Sequence, residues 1–115
     1  MKTIFIDIDG TIFKQKKDLS NIFEEDLQLL PGVEKAFNSW NWKGYKIVIV
    51  TGRKESTRGI TEKSLRNANL FWDHLIMGLD IGGERVLIND TVDPKIVTAS
   101  SFTLPRDQGL DENIF

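Results

Sequence analysis

Thr3-Ile4-Phe5-Ile6-Asp7-Ile8-Asp9-Gly10-Thr11 is the stretch on which the fold turns. Its short apolar run reads as a strand. The run passes without a break into two aspartates, a glycine and a threonine. Two further runs behave alike. Ile47-Val48-Ile49-Val50 stops at Thr51-Gly52-Arg53, and Val86-Leu87-Ile88 stops at Asn89-Asp90. Unbroken β-branched runs, without in–out alternation, mark strands buried on both faces, as in a parallel sheet. Leu75-Ile76-Met77 and Ser101-Phe102-Thr103-Leu104 are weaker strand candidates. The last meets Pro105, which suits an edge strand or its exit.

Between these runs lie two helical patterns. Val33, Ala36, Phe37 and Trp40 recur at i, i+3, i+4, i+7 and share one helix face, opened by Pro31-Gly32 and closed by Gly44. Ile60, Leu65 and Ala68 mark a less regular helix through Thr61–Asn67 that ends near Asn69. This order predicts an α/β layer fold with a mostly parallel, five-stranded sheet. Residues 13–30 carry a basic run (Lys14, Lys16, Lys17) and an acidic cluster (Glu24, Glu25, Asp26) around Leu19, Ile22 and Phe23. They read as a turn or small hairpin with a short helical piece, a flap on a single domain of residues 1–115. The tail from Asp107 to Phe115 is either disordered or docks its apolar tip, Ile114-Phe115, against a neighbour.

Composition narrows the function classes. Of 115 residues, 15 are Lys or Arg and 17 are Asp or Glu, a formal charge of −2. That balance argues against a dedicated nucleic-acid binder, which carries a basic excess. The absence of cysteine excludes a disulfide scaffold and Cys-ligated metal centres. With 40% hydrophobic and 28% charged residues the chain is neither disordered nor collagen-like. No apolar run approaches the ~20 residues that span a bilayer. The first apolar run meets Asp7 too early for a signal peptide, so a cytoplasmic setting is expected.

In open parallel sheets, ligands bind beyond the carboxyl ends of the strands. If the three strong runs are parallel neighbours, Asp7, Asp9, Thr51 and Asp90 converge on one rim. Clustered carboxylates repel unless compensated, and an all-oxygen donor set suits Mg²⁺, which also takes a substrate phosphate. One carboxylate would attack phosphorus to form an aspartyl-phosphate. The second would protonate the leaving oxygen and later activate water. The Thr51 hydroxyl and the N–H groups of Gly52 and Arg53 would hold phosphoryl oxygens.

Asp7-Ile8-Asp9-Gly10-Thr11 resembles the nucleophile motif of the haloacid dehalogenase-like superfamily of phosphatases. Val50-Thr51-Gly52-Arg53 resembles its second motif, and Ile88-Asn89-Asp90 with Asp93 its fourth, in the same order and spacing over roughly residues 3–104. The resemblance implies a Rossmann-like three-layer sandwich and a Mg²⁺-dependent phosphomonoesterase. In it, Asp7 is nucleophile and metal ligand. Asp9 is general acid/base and binds the metal through its backbone carbonyl. Asp90 is the third ligand, with Asn89 or Asp93 in the outer shell. Thr51 and Gly52 bind the transferring group.

The chain departs from that family in one place. Met77-Gly78-Leu79-Asp80 holds no lysine where similar small phosphatases place the third-motif cation. Arg53 and Lys54 lie on the expected rim. Arg85 opens the fourth run and would sit ~16 Å below the rim if that run is extended. Neither residues 13–30 nor Gly78–Glu84 is long enough for a full cap domain, so the site would be open. An open site suits a large substrate, or closure by a second copy. Small capless members of this kind act on sugar phosphates, often beside capsule pathways, so a phosphorylated small molecule is the expected substrate. Two alternatives stand: a Mg²⁺- and phosphate-binding module without turnover, and a nucleotide or polynucleotide phosphatase. A signalling receiver domain fits less well, because its phosphorylated Asp follows the third strand. His74 and the three tryptophans read as structural residues, and the basic residues of Arg53–Arg66 as a solvated helix face or an anion-attracting surface.

Overall fold

A computed structural model of the chain describes residues 1–15, 27–111 and 113–115. Its elements run β1 (Thr3–Ile6), α1 (Val33–Trp42), β2 (Lys46–Val50), α2 (Arg58–Asn67) and β3 (His74–Ile76). A single 3₁₀ turn, Glu55–Thr57, precedes α2. The strands form one parallel sheet in the order β1-β2-β3, with Ile4 opposite Ile47 and Ile49 opposite Leu75. Parallel pairing needs a crossover, and α1 and α2 supply the two.

The central strand explains its own sequence. Ile47, Val48 and Ile49 are all buried, as a strand flanked on both sides requires. β1 behaves otherwise. Ile4 and Ile6 are buried, whereas Phe5 is 50% exposed. Only one of its edges is paired among the described residues.

α1 buries Val33, Ala36, Phe37 and Trp40, the residues whose spacing predicts it. Gly32 precedes it with φ +78°, a left-handed conformation that favours glycine. Phe37 and Trp40 pack with ring centroids 5.3 Å apart. α2 ends in a Schellman turn. Asn69 (φ 60°) donates to Arg66 O, and Leu70 donates to Leu65 O. This stop lies where the sequence places it.

Three strands are paired among the described residues, not five. Val86, Leu87 and Ile88 are unpaired and 73%, 52% and 90% exposed. Ser101–Leu104 is likewise outside the sheet, with Phe102 56% exposed. Strand preference is realised by packing against neighbouring strands, and neither run has a strand partner among the described residues. At the start of the flap, Phe13 bridges Leu29 in antiparallel fashion, Lys14 N–H donates to Gln28 O and Leu30 N–H to Ile12 O. That is the expected hairpin base. The helical piece and the acidic cluster fall at residues 16–26, outside the described residues.

The tail docks on its own core. Leu110 is buried and donates its N–H to Pro31 O at 2.9 Å. Ile114 and Phe115 pack on the core, and Phe115 meets the rings of Trp40 and Phe102. No helix among the described residues is long and apolar enough to cross a membrane.

Candidate active site

The chain leaves β1 and curls around one oxygen. The Ile8 carbonyl accepts N–H groups from Thr11, Ile12 and Phe13 at 3.1, 2.8 and 3.1 Å. Gly10 has φ +88° and donates to Phe13 O. Ile8 and Ile12 are wholly buried, while Asp7 and Asp9 are half-buried. Apolar anchors thus hold the two flanking carboxylates at the carboxyl end of β1.

Burial is the main force on Asp7, and it pushes the carboxyl above its ordinary value. The Asp9 charge adds to the rise. The Ile8 N–H and the charges of Arg85 and Arg53 oppose it. Asp9 is gripped by a planar fork. Arg53 Nε donates to Oδ2 at 2.9 Å and Nη2 to Oδ1 at 2.8 Å. The third guanidinium nitrogen, Nη1, donates to Thr61 Oγ1 of α2 at 3.1 Å. Arg53 is 3% exposed and Thr61 fully buried, so the pair lies in a low-dielectric setting where bidentate geometry matters most. Each Asp9 oxygen keeps a second acceptor position.

Thr51 follows β2 and is buried. Its hydroxyl accepts the Arg53 N–H at 3.0 Å. The expected phosphate-holding donor at Arg53 is therefore turned inward. Gly52 is closely covered: a Cβ there would lie 2.8 Å from Ile81 Cγ1 and 3.2 Å from Leu79 O. The loops after β2 and β3 are laced together by Leu79 N–H to Thr51 O and Gly78 N–H to Arg53 O.

The structure brings Asp7, Asp9, Thr51, Gly52 and Arg53 to one rim. It does not bring Asp90 there. Asp90 sits in a self-contained exposed loop, where its carbonyl accepts from Thr98 Oγ1 and Asn89 Nδ2 donates to Thr98 O. Asp93 lies in the same loop and caps Lys95. Among the described residues no group of three acidic, His or Cys side chains is placed to hold a metal. The run leading to Asp90 is unpaired, so nothing carries Asp90 to the sheet end.

Arg85 is a further difference from expectation. With Val86–Ile88 unpaired, Arg85 is not held at the far end of a strand. It donates to Asp80 O at 2.9 Å, and its charge works against the rise of the Asp7 carboxyl. Lys54 is exposed. Two residues that the sequence reasoning did not single out also belong to the neighbourhood. Thr61 anchors the Arg53 fork, and Asp107 braces the loop that carries Asp7 and Asp9. Asp107 N–H donates to Gly10 O at 2.9 Å, and its Oδ1 accepts Gln15 N–H at 2.8 Å. Neither contact leaves a local sequence signal, since the partners are 92 and 8 residues apart.

No family model and no curated protein matches the chain. Solved structures do. A chain of the Pnkp1/Rnl/Hen1 RNA repair complex is 28% identical, with TM-score 0.60, and the match covers 73% of this chain and 27% of that one. A structural target protein from Vibrio cholerae is 20% identical, with TM-score 0.57, over 83% of this chain and 85% of that one. A D,D-heptose 1,7-bisphosphate phosphatase from B. bronchiseptica, complexed with magnesium and phosphate, is 21% identical with TM-score 0.49, over 72% and 54% of the two chains. The chain spans about a quarter of the length of the RNA repair chain it matches. The likenesses to the RNA repair chain and to the Vibrio cholerae protein support a shared α/β fold.

Proposed function

We propose that the protein is a phosphomonoester hydrolase working through a phosphorylated Asp7. The observation that carries this reading is the carboxylate pair flanking buried Ile8 at the end of β1, with Arg53 locked on Asp9. One Asp7 oxygen attacks phosphorus as the bond to the leaving oxygen breaks, and Asp9, entering the cycle protonated at an acceptor position that the Arg53 fork leaves free, passes that proton to the leaving oxygen. Water then attacks phosphorus, Asp9 takes its proton, and the Asp7–phosphorus bond breaks to release phosphate. The Arg85 cation, whose side-chain partners are backbone carbonyls, offsets part of the charge that an anionic ester brings to an anionic nucleophile.

The donor chemistry fits Mg²⁺ in part. The Asp7 carboxylate and the Asp9 carbonyl are hard oxygen ligands on one short loop. The third would be Asp90, delivered if Val86–Ile88 pairs with the free edge of β1. That docking gives the order 3-2-1-4, the arrangement of classic doubly wound sheets, and Ser101–Leu104 would extend it to five strands. When bound, the cation would polarise the phosphoryl oxygens and neutralise their charge. The substrate we expect is a phosphorylated small molecule in an open site. The likeness to an RNA repair chain keeps a polynucleotide phosphate among the candidates.

A second reading has its own support. Buried Thr51, the inward Arg53 N–H and the distant Asp90 suit a phosphate- and Mg²⁺-binding module without turnover. One experiment separates the two: phosphate release from p-nitrophenyl phosphate, sugar phosphates, nucleotides and a 3′-phosphorylated oligonucleotide, with Mg²⁺ or EDTA. Release with Mg²⁺ that vanishes in Asp7→Asn supports the hydrolase. Ligand-dependent stabilisation without release supports the module. Release that persists in Asp7→Asn refutes the mechanism.

A further inference from the structure

Five arginines occur in the chain, and four have side-chain partners among the described residues. Arg53 holds Asp9 and Thr61, Arg58 holds Glu55, Glu62 and Leu75 O, Arg66 approaches Glu62, and Arg85 holds Asp80 O and Gly83 O. Arg106 has none among those residues and is exposed. Its location is not that of an ordinary surface arginine. A Cβ built on Gly10 would lie 3.1 Å from Arg106 Cγ and 3.7 Å from its Cδ. The arginine stem therefore lies against the loop that carries Asp7 and Asp9.

The backbone beneath it is fastened on both sides. Asp107 donates its N–H to Gly10 O, accepts Gln15 N–H on Oδ1, and adopts a left-handed φ of 64°. Three residues from Arg106, Gly109 (φ +83°) lies so close to Pro31 that a Cβ would fall 2.2 Å from Pro31 O. Leu110 then enters the core. The segment is a strap stitched to the loop of Asp7 and Asp9 and to the turn before α1, and the guanidinium at its head has no partner among the described residues. Arg53 is fully engaged by Asp9 and Thr61, and Arg85 donates to Asp80 O and Gly83 O.

We propose that Arg106 is a specificity-determining residue that reads a second anionic group on the substrate. This rests on the phosphomonoesterase reading of the same site. The ligand class is a phosphomonoester bearing a further carboxylate or phosphate. A planar guanidinium matches either group in bidentate fashion. Gly10 permits the close approach because it has no side chain.

Calorimetry on the Asp7→Asn protein with Mg²⁺ tests this with two matched pairs: glycerol 3-phosphate against 3-phosphoglycerate, and glucose 6-phosphate against glucose 1,6-bisphosphate. We expect the doubly anionic member of at least one pair to bind about tenfold more tightly. Arg106→Ala in that background brings the ratio to about one, and Arg106→Lys keeps part of it. Lys63→Ala, which removes one exposed positive charge from α2, leaves the ratio intact. A ratio unmoved by Arg106→Ala, an equal loss with Lys63→Ala, or no binding by any of the four compounds overturns the proposal. Phosphate release by the wild-type protein is scored separately. If no ester is hydrolysed, the hydrolase reading fails while the binding ratio still decides the role of Arg106.

Discussion

At the scale of single residues, Asp7 carries the most testable energetics. Burial holds its carboxyl above the unfolded value of 3.8. A raised carboxyl favours the folded state most strongly below that value, and the benefit is lost as pH rises through the elevated folded value. In EDTA, Asp7→Asn is therefore expected to melt higher than wild type at pH 7. The gap should close as pH falls toward 3.8 and below. A neutral-pH melting temperature equal to or below wild type contradicts the burial argument. Arg53 is the second test. Arg53→Ala leaves Asp9 without its fork in a largely dry setting and is expected to cost about 3 kcal/mol or more in urea denaturation. Arg53→Lys retains the charge but cannot bind both Asp9 oxygens and Thr61 together. It should recover part of the stability and less of the activity. Complete recovery of both would mean that charge alone matters there.

At the scale of elements, legibility followed how local the cause was. α1 announces itself because Val33, Ala36, Phe37 and Trp40 are both its periodic residues and its buried ones. Phe37→Ala is expected to cost ~3–5 kcal/mol, measured by chemical denaturation. A value under about 1 kcal/mol would mean that the site collapses freely. β2 is legible because burial on both faces leaves an unbroken apolar run. The acid pair is legible because it directly follows its strand. The position of Arg53 after β2 places it on the rim, but its grip on Asp9 is not legible locally, since the two residues lie 44 positions apart. The Arg106 strap was invisible for the same reason. Val86–Ile88 teaches the opposite lesson. A strand-like composition does not create a pairing partner, and β1 leaves that edge open. If the edge accepts this run during ligation, amide exchange at Val86, Leu87 and Ile88 slows on adding Mg²⁺ with beryllium fluoride. Unchanged exchange at these amides would leave the three-stranded sheet as the working form.

At the scale of the whole molecule, the unpaired arm governs shape. The radius of gyration is 14.6 Å, with extents of 49 × 28 × 25 Å, whereas a compact domain of this length has about 13 Å. Docking of the arm on β1 would contract the particle. Small-angle scattering with Mg²⁺ and beryllium fluoride should then show a radius shrinking toward about 13 Å. A constant radius argues against docking in solution. The exposed Val86, Ile88, Val92 and Val97 along this arm, from 73% to 99% exposed, form the apolar surface most in need of cover.

The Ile8 carbonyl, with its three backbone donors, has a consequence for how this chain tolerates change. The spacing between the acids is dictated by main-chain curvature, so side chains at positions 11 to 13 can drift within the limits of packing without detuning the chemistry. Length cannot drift in the same way. One residue added or deleted between Gly10 and Phe13 would unwind the hub and rotate one carboxylate away from the other, leaving a folded protein with a scrambled centre.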